Sequence, residues 1–360
     1  MFVLAVAKLA HLIVAEPELP SVWIALGLFF VLWWTWVGFA VLYNRYGDDK
    51  PAHRLLFLAG SVPVGVAAAA IEPASNGDSA VFACALAAAR LVLAAAHAAG
   101  GQGRIQRALL VSAALFALSA LVPEPFRYAL WAIAISTESG ATLVEDRAAA
   151  RRARRDHDLH ALAPANRAEA LDPHHFAERF GLFLIILLGE VLVEAAQAPA
   201  ETAAAWAALV AAMILAAGLW WLYFDAAADV NLKVLELSGG SPTVARAIFA
   251  VGHMLPAFAL LMIAAGVGLL LEGEPPHIAY TLPAFGLGIY LLGTRVFLLA
   301  EKRVSGLIRA LLVIATFFLG GMRDVLSPHE YVWLLAAWAV MCAALTTRTP
   351  RLDRFLGGPE

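Results

Sequence analysis

Charge is what this chain has least of. Only 15% of its 360 residues are Asp, Glu, Lys or Arg, and 62% are hydrophobic; soluble domains carry about 25% and roughly 45–50%. That shortage excludes a disordered chain and a single soluble globular domain. Cysteine is nearly absent too, with Cys84 and Cys342 as the two copies. Both fall within apolar blocks and read as buried small hydrophobes, not as a disulfide or a metal pair. A net charge of −3 leaves no basic face for nucleic acid. There is no Walker loop, no GxSxG, no HExxH and no CxxC. Nothing therefore points to ATP hydrolysis or nucleophilic catalysis, and no enzyme activity, cofactor or metal site is expected.

What is abundant is apolar sequence, in about a dozen blocks of roughly 18–25 residues, each able to cross a bilayer as a helix. A transmembrane barrel needs short segments of alternating polarity instead. The blocks are 1–15, 22–43, 55–71, 80–98, 105–122, 126–144, 173–197, 203–224, 247–271, 278–299, 307–322 and 331–346. The first resembles a signal peptide but has no basic region before its apolar run, and Lys8 and His11 interrupt it. It reads as a membrane helix that starts abruptly.

Loop charge orients the chain. Basic residues gather in alternate loops, at Arg45, Lys50 and Arg54, then Arg104 and Arg107, then RRARR at 151–155. They recur at Lys233 and Arg246, at Lys302, Arg303 and Arg309, and at Arg348, Arg351 and Arg354. The intervening loops are acidic or neutral, and only about two basic residues fall there against roughly twenty on the other side. The expected topology is about twelve spans, with both termini and the long 145–172 loop cytoplasmic.

That loop separates two similar halves. Trp33 and Trp34 answer Trp220 and Trp221, and an acidic turn follows each pair: Asp48 and Asp49, then Asp225 and Asp229. Arg54 answers Arg246, Arg90 answers Arg295, and RALLV at 107–111 recurs at 309–313. Six spans per half would make a parallel repeat about an axis along the membrane normal. The predicted organisation is a first repeat over 1–145, a basic loop over 146–172, a second repeat over 173–347 and a tail over 348–360.

Ionisable residues inside membrane helices are costly and so nominate a site. The seventh block is the richest. Asp172 fits its N-cap and Pro173 its first residue. At 3.6 residues per turn, His175, Arg179, Glu190 and Glu194 share one arc, and Glu178 lies outside it. Two carboxylates one turn apart suit a proton or a cation; alternatively Glu194 reaches the interface and Glu190 pairs with a neighbouring cation. Glu138 sits mid-span among Ser136, Thr137 and Ser139, with Arg90 or Arg295 as a partner. Either arginine could instead snorkel to the cytoplasmic side, which suits Arg295 better. His97 and His253, near span ends, fit interfacial side chains. The Trp33–Trp36 cluster fits packing between halves or a cavity lining. Asp48, Asp49, His53, Arg54 and Asp225 form either solvated loops or a cytoplasmic gating network.

Three stretches carry a family resemblance: WWTWVGFAVLYNRYGDDKPAHRL at 33–55, ERFGLFLIILLGE at 178–190 and GLWWLYFD at 218–225. In order and spacing the chain resembles the bacterial low temperature requirement protein A family. The resemblance implies a bacterial integral membrane protein named for a growth phenotype, with no assigned activity and no established site residues. Members usually open with an E-L-F-F-D-L-V-F-like stretch, whereas this chain opens at Met1-Phe2-Val3-Leu4. A truncated or mis-called start would account for this and for the short first span.

Three function classes fit. The leading one is a proton- or cation-coupled secondary transporter for an unidentified ion or small molecule. The second is an ion channel of tandem six-helix units. The third is a non-transporting envelope sensor or scaffold, whose basic loop would bind anionic membrane lipids. Homo-oligomerisation stays open in each.

Overall fold

The computed structural model describes residues 1–47, 51–143, 159–164, 170–197, 202–294 and 303–346. Among them no strand occurs. Besides the short helices Ile71–Ser75 and Pro242–Ala245, the helices are α1 Phe2–Ala15, α2 Leu19–Tyr46, α3 Pro51–Ala69, α4 Ala80–Ala99, α5 Gly103–Ser119 and α6 Phe126–Leu143. They continue as α7 Pro173–Gln197, α8 Ala203–Leu222, α9 Ala228–Leu237, α10 Met254–Leu271, α11 Ile278–Gly293, α12 Arg303–Phe318 and α13 Pro328–Thr346. Among the described residues, each apolar block of the sequence overlaps one of these helices.

Six described helical stretches are long and apolar enough to cross a bilayer: Leu19–Tyr46, Ala80–Ala99, Ala203–Leu237, Pro242–Leu271, Gly306–Asp324 and Pro328–Leu345. The surface agrees with that medium. Leu55, Leu58, Val62 and Val66 of α3 are 43–65% exposed, at spacings that form one helix face. A stripe like this in water would mark an interface or a liability; in lipid it is an ordinary outer face.

Element ends depart from the apolar blocks where charge was read as a stop. The eighth block ends at 224, yet helical structure continues through a π turn at Tyr223–Ala227 into α9. Asp225 and Asp229 end the hydrophobic run, but a carboxylate does not interrupt backbone hydrogen bonding. A second π turn, Arg246–Val251, precedes α10. Pro63 and Pro283 lie inside α3 and α11, at the cost of one backbone hydrogen bond each.

The chain divides into two compact units. The first comprises Met1–Leu12, Pro20–Arg179 and Val234–Ala250, the second Ile13–Leu19, Phe180–Lys233 and Val251–Glu360. In the first, α4 packs between α3 and α5, and α5 packs on α6. Leu42, Leu93, Ala94, Ala96 and Leu109 form a buried cluster there. In the second, α8 packs on α13 and α10 on α11, with α12 against α11. The α10–α11 seam is made of small residues. A Cβ on Gly266 would lie 2.4 Å from Pro283 Cδ, and one on Gly286 would lie 2.7 Å from the Ala259 carbonyl oxygen. Such seams let membrane helices gain close van der Waals contact where no hydrophobic force separates lipid from protein.

One expectation about a single side chain needs correction. Cys342 is buried but Cys84 is exposed, because it falls on the outward face of α4. Trp220 and Trp221 are 43% and 47% exposed, and Trp220 stacks on Phe224 at 5.2 Å.

Candidate functional site

Arg90 is the most costly residue in the first unit. It lies in the alanine-rich middle of α4 and is fully buried. An isolated charge there would be penalised by many kcal/mol, so it persists only if it is paired and hydrogen-bonded. Its Nε donates to Glu138 Oε1 on α6 across 3.1 Å. Its Nη1 donates to Thr35 Oγ1 on α2 across 2.7 Å, and that hydroxyl in turn donates to the Val31 carbonyl. Ser112 Oγ on α5 donates to the same Glu138 Oε1. The guanidinium carbon sits 4.4 Å from the Phe116 ring centroid, a distance that gives cation–π attraction. Four helices thus converge on one ion pair, and Arg90 Nη2 is left buried with no acceptor.

Glu138 is 12% exposed where Arg90 is 0%, and the difference has a direction. Glu138 lines a cleft of about 130 Å³ within the first unit, and Arg90 does not. Most of the wall is apolar, from Trp34, Leu93, Ile105, Leu109 and Phe176. Its polar points are Glu138, Arg45, His97 and Arg246. Arg45 Nη1 donates to Gln102 Oε1 at 2.8 Å, and His97 Nδ1 meets the same oxygen at 3.1 Å. Arg246 Nη1 reaches the Ser139 carbonyl at 3.4 Å.

The remaining sequence candidates divide. Asp172 caps α7, accepting the His175 N–H at 3.0 Å. Asn44 holds that cap through both its amide groups. His175 and Arg179 touch, with Arg179 Nη2 3.2 Å from His175 Nε2. The Arg179 guanidinium lies 4.4 Å from the centroid of Tyr43, and Glu178 is exposed. In the second unit Glu190 and Glu194 are 5% and 4% exposed. The charges that act on Glu194 are Glu190 and Glu272, both acidic. His53 is half-buried beside Tyr46, and Arg54 and Asp225 are exposed. Asp48, Asp49 and Arg295 lie outside the described residues. Lys8 Nζ is 4.0 Å from Glu72, and His11 is exposed.

His97 and His253 are not interfacial; both are 4% exposed. His253 Nε2 meets the Tyr223 hydroxyl at 2.8 Å and packs edge-on against Phe180. Thr35, Ser112, Arg45 and Arg246 join the picture only through the fold. Small hydroxyls in helices commonly bond their own backbone, so nothing local in the sequence singles out Thr35 or Ser112.

Apolar helices of spanning length around a buried ion pair define an integral membrane protein. Residues 1–346 match the model of the family described as Bacterial low temperature requirement A protein (LtrA), and the chain belongs to that family. It is 26% identical over 326 residues to an uncharacterized protein of Rhizobium meliloti (strain 1021), RA0937. That alignment covers 85% of this chain and 75% of the relative. No solved structure matches the chain.

Proposed function

We propose that the protein is a proton- or cation-coupled secondary transporter of the bacterial inner membrane. The observation that carries this reading is the Arg90–Glu138 pair. A pair serving only to hold helices together would be shielded on every side, whereas this one presents its carboxylate to a cleft and leaves a guanidinium N–H unfilled. Intramembrane ionisable groups facing a cavity are the usual elements of ion-coupled carriers. Glu190 and Glu194 are two further buried carboxylates, in the second unit.

The accompanying architecture is twelve spans in two parallel six-helix repeats, with both termini and the 145–172 loop cytoplasmic. A recurrent contact favours the duplication. In the first unit the Trp131 indole on α6 donates to Ser119 Oγ at 2.8 Å. In the second, the Trp338 indole on α13 donates to Thr316 Oγ1 at 2.8 Å. Each half thus joins its last helix to the one before it by an indole–hydroxyl bond.

The test is reconstitution into proteoliposomes with an internal pH dye and an imposed gradient. Proton or cation flux should be saturable and should fall in Glu138→Gln and Glu190→Gln. Flux unchanged in both variants would sink the reading, and unitary single-channel currents would replace the carrier with a channel.

A further inference from the structure

We propose that the cleft of the first unit takes a small organic monoanion with an apolar body, and that the anion enters with one proton by exchanging places with Glu138 on Arg90. The argument begins with the fork of donors on Arg90. Guanidinium Nε and Nη2 lie along one edge and suit the two oxygens of a single carboxylate. Glu138 fills only the Nε position, through Oε1, and Nη2 on that edge has no acceptor. A fully buried arginine therefore carries half of a carboxylate site that its internal partner leaves open. Glu138 can be displaced without stranding Arg90, because an incoming carboxylate would take both donors while Thr35 holds Nη1 in place.

The surroundings set the sign of the ligand. Of the described residues that line the cleft, Glu138 is the one carboxylate, and the cations are Arg45 and Arg246. Moving Glu138 away leaves buried Arg90 without its counter-charge, which favours an anion. Trp34, Leu93, Ile105 and Phe176 demand that the rest of the ligand be apolar. Displaced from Arg90, the Glu138 carboxylate would face a largely apolar cleft, where its charged form is disfavoured. It takes up a proton and keeps its bond to Ser112. Before the exchange Arg90 and Glu138 sum to zero; afterwards the anion balances Arg90 and Glu138 is neutral. One anion and one proton thus enter together with no net charge.

Ser112 on α5 bonds Glu138, while Thr35 on α2 and Phe116 on α5 meet Arg90 beside it, and none of the three titrates. Within the cleft His97 is the competing proton acceptor, and Arg45 and Arg246 stay charged. The role of this coupling in the cell rests on the transporter reading, but the binding does not.

Isothermal titration of the full chain in detergent, at pH 6 and pH 8 and in buffers of different ionisation enthalpy, tests it with hexanoate, hexanamide and hexylammonium. Hexanoate should bind best, with uptake of about one proton, and weaken up to about tenfold per unit rise in pH, as linkage requires. Glu138→Gln should keep hexanoate binding and lose both the proton uptake and the pH dependence. Arg90→Gln should lose binding, and His97→Asn should change neither. If hexanoate binds without proton uptake, if hexylammonium binds better, or if none of the three binds, the proposal is wrong. Uptake that vanishes in His97→Asn assigns the proton to His97 and also overturns it. The wild-type and His97→Asn titrations decide the matter even if the Arg90 variant does not fold. Coupled binding without flux in proteoliposomes would refute the transporter reading alone, and flux with uncoupled binding would refute this inference alone.

Discussion

The indole nitrogen of Trp33 on α2 donates to the carbonyl oxygen of Ala250 across 2.7 Å, joining residues 217 positions apart. Ala250 lies near the end of the π turn Arg246–Val251, and Trp33 is 2% exposed. Trp33→Phe would keep most of the apolar volume and remove the donor. It should destabilise the protein by about 1–3 kcal/mol, the usual cost of stranding a buried polar group. Thermal unfolding in detergent should show the loss, and an unchanged midpoint would mean that the carbonyl finds another donor.

Arg90 and Glu138 should behave as a unit in stability measurements. Removing one partner from a buried pair costs about 3–5 kcal/mol, whereas replacing both with apolar residues is often much milder. Arg90→Leu and Glu138→Leu should each lower unfolding stability more than the double variant does. Additive losses across the cycle would show that the two side chains are energetically independent.

The close α10–α11 seam predicts opposite outcomes for two glycine-to-alanine changes. At Gly286 the new methyl would meet the Ala259 carbonyl at 2.7 Å and Ile263 Cγ1 at 2.9 Å, a misfit worth about 1–3 kcal/mol. At Gly27, inside α2, nothing lies within 4 Å. There alanine should stabilise by about 0.5–1 kcal/mol through its lower backbone entropy. Unfolding of both variants under the same detergent conditions should give shifts of opposite sign.

Cys84 and Cys342 should separate by reagent. In the detergent-solubilised chain N-ethylmaleimide should modify Cys84 faster than Cys342, since Cys84 is exposed and Cys342 is buried. Cys342 should react only after denaturation. Mass spectrometry of labelled peptides distinguishes them, and native labelling of Cys342 would contradict its burial.

Local signals carried over from sequence to structure well. The start of α7 at Pro173 under an Asp172 cap follows from short-range backbone chemistry, and the helix occupies the residues its apolar run marks out. Arg90 and Glu138 could be nominated because each is expensive alone in an apolar block. The sequence leaves Arg90 and Arg295 as alternative partners for Glu138, and it gives no sign of the hydroxyls that complete the Arg90 pair. Ser112 and Thr35 look like dozens of other small polar residues until α2, α4, α5 and α6 are brought together. His97 and His253 were misplaced for a related reason: proximity to a span's end says nothing about which way a ring faces. For Cys84 the sequence does hold a sign, since Arg90 and His97 share one face of α4 and Cys84 lies off that face.

The glycine seam between α10 and α11 also constrains movement. Gly266 abuts Pro283 and Gly286 abuts Ala259 at distances with no room for a methyl group. Rolling either helix about its own axis would bring a larger neighbour into the space a glycine now occupies. Axial rotation of one against the other is thus sterically barred. The two helices therefore pack as one stiff pair, and any displacement of one would carry the other with it.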